Sequence, residues 1–195
     1  MTIHKFGSLV KRGSSQNLWS VKDENDGVQE KRENALPAKN ELQGEMDAES
    51  ADKFLRPLEN FVGVFSPKLL QSIKIVSYPA SILVLTDGHW ISLYLTNKTL
   101  EIMDSMGYLA NDDISTNLEN FITAHATAKQ ISTTPQIQTT DSELCSLYAI
   151  TFLYFRTFEC GTLCDFCKLF RPNLSLNSEI ILRLFNTIRK INKTS

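Results

Sequence analysis

Cysteine is sparse in this 195-residue chain and confined to its last third, at Cys145, Cys160, Cys164 and Cys167. A secreted disulfide framework would staple the whole chain, so this pattern argues for a reducing compartment. Excess charge is missing as well. The formal net charge is −2, which provides no strong global field for nucleic acid or an anionic membrane surface. The first fifteen residues, MTIHKFGSLVKRGSS, lack the apolar core of a signal peptide. The longest apolar run, Leu144 to Phe155, is too short to cross a bilayer and reads as a buried helix. Internal repeats and long low-complexity tracts are absent. Together these gaps predict a soluble protein with no membrane partner.

What is present is unevenly spread. Hydrophobic residues make up 42% of the chain, enough for a core once a polar tail is set aside. Residues 1–52 are poor in aromatics and rich in Lys, Glu, Asp, Asn, Gln and Ser. Such a stretch cannot bury enough apolar area to offset its ordering entropy and is expected to form a disordered polar arm. Residues 53–195 are expected to form the folded domain. Ser66-Pro67 predicts a short helix through Leu70. Two apolar runs, ASILVLT at 80–86 and HWISLYL at 89–95, flank Asp87-Gly88. Asp-Gly at that place predicts a hairpin, because both turn residues take positive φ. A second tight turn at 96–99 leads into LEIMD, giving a three-stranded antiparallel meander. Helical spacing covers 113–128, and KQISTTPQIQ reads as extended. Asp141-Ser142 predicts the cap of a helix from Glu143 to Phe158. Helices over 162–170 and 178–191 follow, the last opened by Asn177 or Ser178. Arg183, Arg189, Lys190 and Lys193 then mark a solvated helix face. The fold class is α+β, a small mixed or antiparallel sheet flanked by helices.

Three stretches of this pattern carry chemistry. If Asn97 and Lys98 form a two-residue turn, Asp104 falls opposite Ile91, diagonal to His89 and on the same sheet face. Diagonal neighbours lie roughly 7–8 Å apart at Cα, within reach of a His–Asp hydrogen bond. A three-residue turn would put the two on opposite faces, so the pairing depends on register. A carboxylate that orients an imidazole fixes the tautomer a general base needs. Cys145 lies in the first turn of the most apolar helix, where partial positive charge favours a thiolate. The free backbone N–H groups of that turn can face a developing oxyanion. Gln138, seven residues upstream, can add a side-chain N–H. Taken singly, Cys145 reads as a small buried hydrophobe, His89 as a strand histidine and Gln138 as a loop amide. Their order, His then Asp then Gln then Cys, is what points to a cysteine nucleophile.

GHW at 88–90, the carboxylate of EIMDSMG and QTTDSELC at 138–145 resemble the adenovirus-type cysteine endopeptidases, the adenains. FVGVFSPKLL and YPASILVLTDGHW also resemble the lead-in to the catalytic histidine in adenain-like proteases of Polinton/Maverick elements and related DNA viruses. The resemblance covers roughly residues 58–185. It implies the adenain and ubiquitin-like-protease type of fold, with His89 as general base, Asp104 as its orienting carboxylate, Cys145 as nucleophile and Gln138 with Cys145 as the oxyanion hole. It further implies substrate contacts at Trp90 and Ser146. A viral or transposon-encoded endopeptidase that cleaves capsid or core precursor proteins beside Gly follows from it, acting as a monomer in the virion and in the host nucleus or cytoplasm. The adenovirus enzymes are stimulated by DNA and by a basic peptide; no feature of this near-neutral chain assigns it either activator. The chain departs from the family at Ser146, where Gly is usual.

Two other readings share the fold. Proteases that release ubiquitin-like modifiers use the same triad, and a non-catalytic binding protein would accommodate a side chain at Ser146. The remaining cysteines invite a zinc reading through the CxxC at 164–167, but a structural site needs four ligands. Buried free thiols on a shared helix face are expected instead, with no metal and no cofactor.

Overall fold

The computed structural model describes residues 46–108, 116–126, 130–159 and 161–193. Most of the expected polar arm, and Cys160, lie outside the described residues. Ordered structure nevertheless begins inside the arm's assigned span. Helix α1, Ala48–Leu55, is capped by Asp47, whose carboxylate accepts from the Ser50 N–H, and it buries Ala51 and Leu55. Two apolar residues one turn apart, plus a good cap, make a helix where composition alone suggested none.

The sheet has five strands in the order β1-β2-β3-β4-β5. These are β1 Phe61–Phe65, β2 Ala80–Thr86, β3 His89–Leu95, β4 Thr99–Met103 and β5 Gln130–Thr133. The predicted meander forms its centre: β2, β3 and β4 pair antiparallel. At the β2–β3 turn, Asp87 and Gly88 have φ of 46° and 80°. At the β3–β4 turn, Thr96 and Thr99 exchange a backbone bond, and the Thr96 hydroxyl accepts from the Lys98 and Thr99 N–H groups. The two-residue turn sets Leu95 opposite Leu100 and Ser92 opposite Met103. That is the register on which the His–Asp pairing depends.

The outer strands differ from expectation. β1 runs parallel to β2, and β5 parallel to β4. Each parallel pair needs a crossover, which α2 (Pro67–Leu70) and α3 (Thr116–Ala126) provide. QIST lies inside the segment that reads as extended, and its parallel pairing is what differs; FVGVF is short and lacks clear alternation, so it does not advertise a strand. The α+β class with a mixed sheet flanked by helices holds.

Both faces of the sheet are covered. Ile82, Val84, Ile91, Leu93, Leu95, Leu100 and Ile102 pack with Leu70, Leu118 and Phe121 on one face. Helix α4, Cys145–Phe158, packs against β3 and is buried from Cys145 through Phe155. It lies on the face that carries Tyr94 and Glu101. Arg156 stacks over the Tyr94 ring at 4.4 Å, and its Nε is 2.5 Å from a Glu101 carboxylate oxygen. The other Glu101 oxygen accepts the Leu163 N–H at 3.0 Å, at the start of α5, Leu163–Cys167. Helix α6, Asn177–Lys193, packs on α4. Among the described residues no helix is long and apolar enough to cross a membrane.

The Glu101–Arg156 pair anchors the far end of the helix that carries Cys145, and both side chains are almost fully buried. Removing one partner strands the other charge in the interior. Arg156→Leu is therefore expected to cost about 3–5 kcal/mol in urea unfolding, and the Glu101→Leu/Arg156→Leu double variant less. A single variant within about 0.5 kcal/mol of wild type would contradict this role.

Candidate active site

His89 opens β3, Asp104 follows directly on β4, and Cys145 is the first residue of α4. The chain thus delivers an imidazole, a carboxylate and a sulfur from three separate elements. The His89 Nε2 and Asp104 Oδ1 atoms lie 2.7 Å apart, with the side chains 14% and 1% exposed. Cys145 is the second side chain that acts on the imidazole, raising its pKa alongside Asp104. Since Nε2 is committed to Asp104, Nδ1 is the nitrogen left for the sulfur. Burial works against charge on His89. The hydrogen bonds from Asp104 and Cys145, then the charges of the same two groups, outweigh it and raise the His89 pKa from 6.5 to about 9. At neutral pH the ring is protonated, with both nitrogens as donors.

Asp104 is held from several sides. Its Oδ1 also accepts the Met106 N–H at 3.1 Å. Its own N–H donates to the Thr134 hydroxyl at 2.8 Å, and that hydroxyl donates to the Asp104 carbonyl at 2.6 Å. Gly107 then turns the chain at φ +69°, and a Cβ there would stand 2.8 Å from the Gln136 nitrogen. This close approach places Tyr108, whose ring meets the His89 ring edge-on at 5.5 Å between centroids.

Helix α4 starts two residues later than expected. Leu144 is its N-cap, and no side-chain oxygen caps it. Asp141 and Ser142 lie instead in the turn before it, with the Ser142 N–H donating to the Thr139 carbonyl. The Leu147 and Tyr148 N–H groups both donate to the Leu144 carbonyl, at 2.9 and 3.1 Å, so the N–H groups of Cys145 and Ser146 are the ones that neither a side-chain cap nor helical geometry consumes. Gln138 is fully buried. Its Oε1 accepts from the Ser105 hydroxyl and its Nε2 donates to the Ser142 carbonyl, both at 2.5 Å. The segment just before it is pinned by Asn177 Nδ2, which donates to the Ile137 carbonyl at 2.9 Å.

Two expected substrate contacts need correction. Trp90 and Ser146 are both 0% exposed, so neither offers surface to a substrate. Strand alternation explains Trp90, which points away from the His89 face. Ser146 turns into the protein at the base of a helix buried along eleven consecutive residues, so its side chain does not crowd the approach to Cys145. The CxxC reading also changes. Cys164 and Cys167 are free thiols, one exposed and one half-buried. The packing face of α5 is Leu163 and Phe166. Burial and the neighbouring Cys164 push the Cys167 thiol up to about 11. Among the described residues no group of three or more His, Cys, Asp or Glu could hold a metal ion.

Thr134, Ser105, Tyr108 and Asn177 were not legible as site residues. Ser and Thr in a loop are common, and only the fold brings 104–105 against 134–138.

No family model and no curated protein matches the chain. Among solved structures, it is similar to the central domain of the uncharacterized Lpg1148 protein from Legionella pneumophila, at 14% identity and a TM-score of 0.41, covering 68% of this chain and 88% of that one. It is also similar to a de-sumoylating protease, at 13% identity and a TM-score of 0.36, covering 65% of this chain and 62% of that one. At such scores neither likeness bears on the chemistry, which rests on the side chains.

A pKa raised on folding ties stability to pH. The folded state binds the His89 proton more tightly than the unfolded chain does. The stabilisation is therefore complete below about 6.5 and is lost as the pH rises through about 9. The stability gap between wild type and His89→Gln is expected to shrink across that window in urea titrations. A gap that stays constant or widens would contradict the assignment.

Proposed function

We propose that this protein is a cysteine endopeptidase in which Cys145 attacks a peptide carbonyl, His89 moves the proton and Asp104 orients His89. The observation that carries the reading is the environment of one imidazole. A buried carboxylate sits 2.7 Å from one ring nitrogen, and the sulfur of Cys145, at a helix N-terminus, is the second side chain that acts on the ring and raises its pKa. Either feature alone is common; together they form a nucleophile, a base and an orienting group in the order that covalent catalysis needs.

The steps follow from the groups present. The Cys145 thiolate attacks the carbonyl carbon, forming a C–S bond and a tetrahedral oxyanion. The Cys145 N–H donates to that oxyanion, and the second Nε2 hydrogen of Gln138 is the side-chain donor we assign beside it, a role that requires this 1%-exposed amide to be uncovered when substrate binds. Collapse breaks the C–N bond while His89, already protonated at neutral pH, gives its proton to the leaving amine. Neutral His89 then takes a proton from water, which attacks the thioester, and the thiolate is released. Asp104 holds the ring by Nε2 throughout.

The sequence resemblance supports a finer assignment, to an endopeptidase that cleaves capsid or core precursor proteins beside Gly. Cys145 is only 7% exposed, and a recessed nucleophile favours a substrate backbone without side chains next to the scissile bond.

Incubation with candidate precursor proteins, followed by mass spectrometry of new termini, tests the reading. Wild type is expected to generate termini beside Gly, Cys145→Ala none, and Asp104→Asn a rate lower by about 10²–10⁴. Equal cleavage by Cys145→Ala would refute the mechanism. Labelling of Cys145 by a vinyl-sulfone probe built on a ubiquitin-like modifier would keep the mechanism and move the substrate to modifier conjugates.

A further inference from the structure

We propose that Ser105 is a positioning residue that sets and polarises the Gln138 amide, so that the residue after the orienting carboxylate also tunes the oxyanion donor. The inference rests on the endopeptidase reading for its kinetic consequence and on geometry for its structural one.

Ser105 and Gln138 are 0% and 1% exposed, so water does not compete for their bond. The Ser105 hydroxyl donates to Gln138 Oε1 at 2.5 Å, and Gln138 Nε2 donates to the Ser142 carbonyl at 2.5 Å. A backbone carbonyl only accepts, so Ser142 dictates which end of the amide faces it. That leaves Oε1 for Ser105, whose hydroxyl must donate. Donation to an amide oxygen draws electron density from the nitrogen and makes its remaining N–H a stronger donor. The backbone reinforces the match. The Ser105 carbonyl accepts from both the Ile137 and Gln138 N–H groups, at 2.9 and 3.0 Å. One residue thus holds Gln138 by main chain and side chain at once. Its neighbour Asp104 bonds His89, so base orientation and oxyanion donation share a dipeptide. Displacement of 104–105 would disturb both.

The test uses Ser105→Ala and Ser105→Cys, the second keeping the shape with a much weaker donor. Both are expected to lower kcat by roughly tenfold with KM little changed, as loss of one charge-independent hydrogen bond implies. On a Gln138→Ala background, Ser105→Ala is expected to change kcat less than about twofold, because the group it acts through is gone. The pH profile of the residual activity should keep its wild-type form, since His89 and Asp104 are untouched. Full kcat in Ser105→Cys, or an undiminished tenfold loss on the Gln138→Ala background, overturns the proposal. A second readout does not need turnover. In NMR spectra, the Gln138 side-chain amide protons should be protected from exchange in wild type and lose protection in both Ser105 variants. Unchanged protection overturns the proposal even if the protein cleaves nothing, whereas lost protection without any wild-type cleavage faults only the endopeptidase reading.

Discussion

The contact between His89 and Asp104 is a product of register before it is a product of chemistry. Two side chains fifteen residues apart meet at 2.7 Å because β3 and β4 pair through a turn of two residues, which Thr96 locks with its hydroxyl. A slip of one residue would send every side chain of β4 to the other face and carry the carboxylate away from the imidazole. The apolar surface of both strands forbids that slip. Leu93, Leu95, Leu100 and Ile102 are buried on one face, and Glu101 is buried on the other against Arg156. The core therefore maintains the site's geometry.

The nucleophile is placed by a different constraint. Helix α4 is buried along most of its length and fixed to the sheet at its far end by an ion pair and a ring contact. A helix that cannot slide or rotate holds the sulfur where the sheet presents the imidazole. Leaving its N-terminus without a side-chain cap sacrifices up to about 1 kcal/mol of helix stability. In return the N–H groups of Cys145 and Ser146 stay available. The segment 134–138 completes the frame by bracing Asp104 through Thr134 and Gln138 through Ser105.

Much of this was legible because it rested on local rules. Asp87-Gly88 specified a hairpin, Thr96 to Thr99 a second turn, and the two together fixed which side chains share a face. The outer strands were harder, since a parallel edge strand is defined by its crossover and partner rather than by its own residues. Asp141 and Ser142 looked like caps, yet the Ser142 carbonyl serves the Gln138 amide and the helix begins later. Trp90 and Ser146 were assigned to substrate by resemblance, and strand alternation and helix burial turn both inward. The bracing residues Ser105 and Thr134 carry no signature of their own; tertiary pairing gives them their roles.

The imidazole of His89 lies at the centre of the site, with Asp104 and Cys145 both raising its pKa, and its own titration reads those two neighbours directly. In wild type, the His89 ring resonances are expected to titrate near pH 9, and removing either neighbour, by Asp104→Asn or Cys145→Ala, should lower the midpoint. A wild-type midpoint near the ordinary 6.5, unmoved by either substitution, would contradict the account.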